Sequence, residues 1–165
     1  MKKYLLVLFA LIFLTGTSCK EKIDIEKEKE AIKAVFEQEK AGFFSQNFAA
    51  MAETWVQEPS SVKVYMYPEG QRKFEGWDAI SQQDQKNVAD TTWDRKSVNL
   101  TFRNFQINLL DDEAAWVMCE ALWEGVYQGN PMSMVQTRIN ILEKIDGKWK
   151  YALMAIYNQP QENKQ

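Results

Sequence analysis

This sequence predicts an α+β fold, on three observations. Apolar residues recur with helical spacing between Ile25 and Phe44, and alternation of apolar and polar residues dominates the chain after Ser97. An Asp146-Gly147 pair also sits between two alternating runs. Helices first and long antiparallel strands afterwards describe a sheet covered on one face by helices.

The elements follow in order. In the first helix Ile25, Ile32, Val35, Phe36 and Phe43 stand three, four or seven apart, so one face is apolar. Asn47 is suited to cap a second, shorter helix in which Phe48, Met51 and Trp55 keep a single face. Glu58-Pro59-Ser60-Ser61 breaks it, Val62–Tyr67 alternates as a strand, and Pro68-Glu69-Gly70 is a turn. Gly76-Trp77-Asp78-Ala79-Ile80 opens a third helix that runs to about Val88, followed by a polar loop from Asp90 to Lys96. Strands are expected over residues 97–109 and 114–127, with the acidic turn Asp111-Asp112-Glu113 between them. Gln128-Gly129-Asn130-Pro131 then turns the chain into strands over 134–144 and 148–157. Asp-Gly marks their hairpin because a tight primed turn needs positive φ at both central residues.

The chain has 165 residues, 45% of them apolar and 13% aromatic, which suffices for one domain with a real core. Its net charge of −3 and lack of a basic run argue against nucleic acid and anionic lipid surfaces as partners. There is no histidine. That removes the commonest general base and metal ligand, and excludes Ser-His-Asp and Cys-His nucleophile systems. With two cysteines and no histidine a tetrahedral zinc site is disfavoured, and the turn at 111–113 lacks the alternating spacing of a calcium loop. No metal and no cofactor are expected. Any catalysis would rest on Asp, Glu, Tyr, Lys or Arg, and no catalytic residue is assigned.

Lys2 and Lys3 precede an apolar run from Tyr4 to Leu14, too short to span a bilayer, and Gly16-Thr17-Ser18 stands directly before Cys19. This resembles a bacterial lipoprotein signal, in which the cysteine is acylated and becomes the new N-terminus. The resemblance implies lipid (palmitate among the acyl chains) on Cys19 and a place in the bacterial cell envelope. The anchor would be the outer membrane, on its periplasmic or its surface side. Residues 1–19 are then the signal, 20–27 a charged tether, 28–158 the domain and 159–165 a polar tail. Cys119, left without a partner by acylation of Cys19, reads as a small buried residue on a strand.

Several short motifs share an order and spacing: Glu30-Ala31-Ile32, Gly76-Trp77-Asp78-Ala79-Ile80, Asp112-Glu113-Ala114-Ala115-Trp116-Val117, Thr137-Arg138 and Asp146-Gly147-Lys148-Trp149-Lys150. On these the chain resembles the nuclear-transport-factor-2-like superfamily, in its SnoaL-like group. The resemblance implies a cone-shaped, cystatin-like fold: three helices packed on a strongly curved, mostly antiparallel sheet, with a pocket at the wide end and a homodimer. That superfamily contains isomerases, dehydratases, hydrolases and assembly domains, so fold does not name function. SnoaL-like members often carry histidine on the last strand, and Tyr151–Tyr157 has none here. The expected function is a non-catalytic module that binds a small ligand or another protein. The alternative is a lyase or isomerase using a pocket carboxylate with Tyr or Arg.

A two-residue turn at Asp146-Gly147 pairs Ile141 with Ala152, Ile139 with Met154 and Thr137 with Ile156, and this face is expected to pack on the helices. The opposite face gathers Arg138, Asn140, Tyr151 and Tyr157, joined from the preceding strand by Trp116 and Glu120. Arg138, Glu120, Trp116 and Tyr157 then read either as a ligand wall or as a dimer interface, with the interface favoured. In the ligand reading Arg138 offers its fork to a carboxylate or pairs with Glu120. Trp123, Tyr127 and Tyr65 read as the pocket mouth. Tyr65 or Tyr67 with Asp94 would imitate a ketosteroid-type tyrosine and carboxylate, although core or edge packing is the simpler reading. An open cavity with Glu120 or Asp94 beside a tyrosine would favour the enzyme.

Overall fold

The computed structural model describes residues 23–92, 94–127 and 129–158. The signal at 1–19 with Cys19, the first part of the tether and the tail at 159–165 lie outside the described residues. Helix α1 spans Ile25–Phe44, so the last part of the expected tether is already helical. Asp24 caps it by accepting from the Lys27 N–H at 3.1 Å. Ile32, Val35 and Phe36 form its buried face, which continues through Glu39 and Gly42. Helix α2 is short, Phe48–Ala52, capped by Asn47. It ends before Trp55, which a parallel bridge to Tyr151 holds in the core instead.

Strand β1 is Val62–Tyr67 and turns directly into β2, Gly70–Glu75. The sequence pattern misses β2 because Gly-Gln-Arg-Lys-Phe-Glu has one apolar residue and no period of two. Its exposed charges suit an edge strand, where they discourage pairing with other chains. Helix α3, Trp77–Ala89, follows and buries Ile80, Asp84 and Val88. The rest is sheet: β3 Val98–Leu109, β4 Ala114–Tyr127, β5 Asn130–Ile145 and β6 Lys148–Asn158.

The six strands lie in the order β2-β1-β6-β5-β4-β3. Only β1 and β6 run parallel. This is the α+β architecture expected, a curved mixed sheet with the helices on its inner face. Curvature has local causes. A bulge between Arg103 and Gln106, with Asn104 at φ 56°, bends β3. At Gly125 a Cβ would lie 1.9 Å from the Ser97 carbonyl oxygen, so only glycine lets β4 approach the start of β3 there. Asp146 and Gly147 take φ 51° and 75°, the primed turn their sequence foretells.

One inner bulge overturns the expected faces. From Ile145–Lys148 to Leu142–Tyr151 the β5–β6 register is the one a two-residue turn dictates. Beyond it Ile141 pairs with Leu153, Asn140 with Met154 and Arg138 with Ile156, leaving Ala152 as the extra residue. Trp149, Tyr151, Met154 and Ile156 therefore all point inward. On β5 the inner face is Gln136, Arg138, Asn140 and Leu142, whereas Ile139 and Ile141 face outward at 44% and 39% exposure. The expectation that the isoleucines pack on the helices is corrected: they cover the outside.

The main core centres on Phe36, whose ring meets those of Phe102, Phe105 and Tyr151 edge-on at 5.2–5.4 Å. A latch at the other end of α1 fixes its direction. Glu28 accepts from Lys144 Nζ at 2.7 Å and Trp149 Nε1 at 2.6 Å, tying the helix start to the β5–β6 hairpin. The Lys144 bond, aided by Trp149, holds the Glu28 carboxyl below the usual range although burial opposes it.

Candidate functional site

The helices do not fill the cone. Between α1, α3 and the inner sheet lies a cavity of about 230 Å³. Strand β1 presents Lys63, Tyr65 and Tyr67 to it on one parity, and α3 presents Asp84 and Asn87 from its inner side. Phe43, Leu100, Trp123, Met134 and Ile156 supply apolar wall.

Two buried ion pairs frame this space. Lys63 is 2% and Asp84 1% exposed, and Lys63 Nζ donates to Asp84 Oδ1 at 2.5 Å. The ammonium also lies 5.5 Å from the Trp55 ring centroid and 5.7 Å from that of Tyr65. Burial alone would lower the Lys63 pKa, but Asp84, then Tyr65 and Glu39, outweigh it and raise the pKa above the ordinary lysine value. The second pair joins α1 to β5: Arg138 Nη1 donates to Glu39 Oε2 at 2.9 Å, with both groups buried. Arg138 stacks over Phe102 at 5.0 Å. Its Nε–H and the Tyr151 hydroxyl have no hydrogen-bond partner among the described residues. Burial, with Glu39 close by, pushes the Tyr151 phenol well above the usual tyrosine range.

A weaker polar chain runs along α3. Gln83 Nε2 donates to Asn87 Oδ1 at 2.7 Å, and Asn87 Nδ2 reaches the Tyr65 hydroxyl at 3.4 Å. On the far wall Trp123 Nε1 donates to Gln136 Oε1 at 2.9 Å, and Gln136 Nε2 donates to Asn158 Oδ1 at 2.8 Å. Both cavity carboxylates are thus bonded to cations that their negative charge keeps protonated against the opposing effect of burial. A carboxylate so placed acts as an acceptor for its cation, and must lose that partner before it can take a proton from a substrate. Among the described residues no group of three His, Cys, Asp or Glu side chains could hold a metal ion. Cys119 is free and buried on β4, and burial pushes its thiol up to about 12, which makes it an inert core residue.

The residues singled out from sequence divide between the two sides of the sheet. Tyr65, Trp123 and Arg138 line the cavity. Tyr127 does not; its hydroxyl lies 3.5 Å from Thr92 Oγ1. Glu120, Trp116 and Tyr157 are on the outer face. The proposed Arg138–Glu120 pairing is therefore excluded: Cys119, not Glu120, stands opposite Arg138, and Glu120 accepts from Arg103 Nε at 2.8 Å. Asp94 is a loop carboxylate that accepts from Ser97 Oγ and the Lys96 N–H, away from the cavity lining. Lys63, Asp84 and Glu39 were missed. Their signal was present as a charge inside an otherwise buried stripe: Glu39 after Val35 and Phe36, and Asp84 between Ile80 and Val88.

No protein-family model matches the sequence, and no curated protein matches it. Solved structures share its fold. An NTF2-like protein of unknown function from Shewanella oneidensis MR-1 has a TM-score of 0.59 and 19% identity, covering 79% of this chain and 98% of its own. A ketosteroid isomerase-like protein from Erwinia carotovora atroseptica has a TM-score of 0.59 and 15% identity, covering 79% and 96%. A candidate dehydratase of the NTF2-like family from Streptomyces avermitilis reaches 0.67 at 12% identity, covering 82% and 98%. The fold is the NTF2-like, cystatin-like one that the motifs resemble.

The Lys63–Asp84 pair yields a signed prediction. Asp84→Asn leaves a buried ammonium unpaired and should lower stability by about 3–5 kcal/mol in urea unfolding at pH 7. In the wild type the Lys63 pKa is raised by folding, so its stabilisation is complete below about pH 10.4 and is lost only as pH rises through the folded value. In the variant burial, the largest single influence on Lys63, is opposed only by Tyr65 and Glu39 and depresses that pKa, so the unfolded chain binds the extra proton. The deficit relative to wild type should then shrink between pH 7 and 10. A deficit constant over that range would refute the assignment.

Proposed function

We propose that this protein is a lipid-anchored module of the bacterial cell envelope whose NTF2-like domain binds a small molecule without transforming it. The observation that supports this most is the cavity of about 230 Å³, open space in the cone whose two carboxylates are already committed to Lys63 and Arg138. A space of that size suits a ligand of one or two small rings. A second reading, a lyase or isomerase, draws support from Asn87 linking Asp84 to the Tyr65 hydroxyl, and from the dehydratase and ketosteroid isomerase-like descriptions of two structural neighbours. The commitment of Asp84 to a buried lysine at 2.5 Å favours binding over catalysis.

The outer face supports a homodimer. Trp116 pairs with Ile141 and Met118 with Ile139 across β4 and β5, and Leu153 and Ala155 continue the patch on β6. This is an apolar surface on a strand face that the chain's own helices leave uncovered. Arg138, on the inner face, has no part in it.

Three measurements test these statements. Protein extracted from membranes should carry a small molecule detectable by mass spectrometry, and Met134→Trp, which fills the cavity opposite Trp123, should lose it; retention of that molecule by the variant refutes the cavity as its site. Ile139→Glu should shift elution on a sizing column from dimer to monomer, and unchanged elution counts against the outer face. Cys19→Ala should move the protein from the membrane fraction to the soluble one; continued sedimentation with membranes rules out the lipid anchor.

A further inference from the structure

The cavity wall carries a charge opposite to that of the protein. Lys40, Lys63, Arg72 and Arg138 line it against only Glu39 and Asp84, in a chain of net charge −3. Lys63 and Arg138 are neutralised by the two carboxylates, and Lys40 is bonded to Glu37 on the solvent side of α1. Arg72 remains. It stands exposed on the edge strand β2, makes no ion pair among the described residues, and its guanidinium carbon lies 5.9 Å from the Phe74 ring centroid. Deeper in the cavity the wall is apolar, with Leu100 and Trp123 buried in it.

We infer that the ligand is a small ring-bearing carboxylate. The carboxylate is held by Arg72 at the rim, where the planar fork matches its two oxygens. The ring lies against the apolar wall to which Phe74, Leu100 and Trp123 contribute. A cationic ligand would meet Arg72 with like charge, and a hydrocarbon would leave that guanidinium unused. This inference rests on the small-ligand reading above and adds the ligand's charge to it.

Titration calorimetry on the full-length protein in detergent tests it with matched probes: 4-hydroxybenzoate, 4-hydroxyphenylacetate and 6-hydroxy-2-naphthoate, each beside its uncharged primary amide. At least one acid should bind about tenfold more tightly than its amide, the scale of a charge-assisted pair. The preference should weaken with added salt, because Arg72 is exposed. Arg72→Gln, on an exposed strand edge, should remove the preference while leaving the unfolding midpoint unchanged. An amide that binds as tightly as its acid, or a preference that survives in Arg72→Gln, overturns the anionic ligand and leaves the small-ligand reading standing. Failure of every acid and every amide to bind also overturns it. The small-ligand reading is then judged separately, by whether the molecule that co-purifies is lost in Met134→Trp.

Discussion

Lys63 and Asp84 sit where a core would ordinarily place two apolar side chains, and the cavity depends on their being charged. One belongs to β1 and the other to α3, so their bond sets how closely that helix can approach the sheet. Arg138 and Glu39 do the same for β5 and α1. A wall made only of Phe, Leu and Met would repack until the space closed, since protein interiors favour close packing over voids. Charged side chains of fixed length that must keep their partners resist that collapse. Their contribution to stability is a poor reason for their presence, because buried pairs replaced by apolar residues of similar volume are often no less stable. What the pairs supply is a polar wall of defined shape.

The sheet then has two working faces with different chemistry. Inside, β5 carries Gln136, Arg138 and Asn140, residues that a solid core would exclude. Gln136 is bonded to Trp123 and Asn158 and Arg138 to Glu39, whereas the buried amide of Asn140 has no partner among the described residues. Outside, the same strand carries Ile139 and Ile141 in partial exposure, beside Trp116 and Met118 of β4. The usual rule of apolar in and polar out is therefore reversed along this strand. The reversal puts a polar wall on the cavity and an apolar patch on the side of the sheet that the helices leave uncovered.

Much of the scaffold was legible. The helix over Ile25–Phe44, the strands Val62–Tyr67 and Ala114–Tyr127 and the Asp146-Gly147 turn follow from periodicities that local backbone sterics impose. β2 was not legible, since an exposed edge strand needs no apolar alternation. The faces of β5 were misassigned for two reasons. A register derived from the hairpin turn cannot foresee the extra residue Ala152, and an apolar-inward rule fails where the interior is a cavity. The site was half legible. Tyr65, Trp123 and Arg138 do meet in one space, but the groups that govern its electrostatics, Lys63, Asp84 and Glu39, lie far apart in sequence.

The sequence by itself determined the absence of histidine, most of the element types, and the order of helices and strands apart from β2. Those are local or compositional properties, decided by a few neighbouring residues or by counting. Only the tertiary structure decided which charges share the interior, that Arg138 bonds Glu39 and not Glu120, and that the isoleucines of β5 face outward. Each of these depends on how α1, α3 and six strands are brought together, and one bulged residue changes the answer for a whole strand.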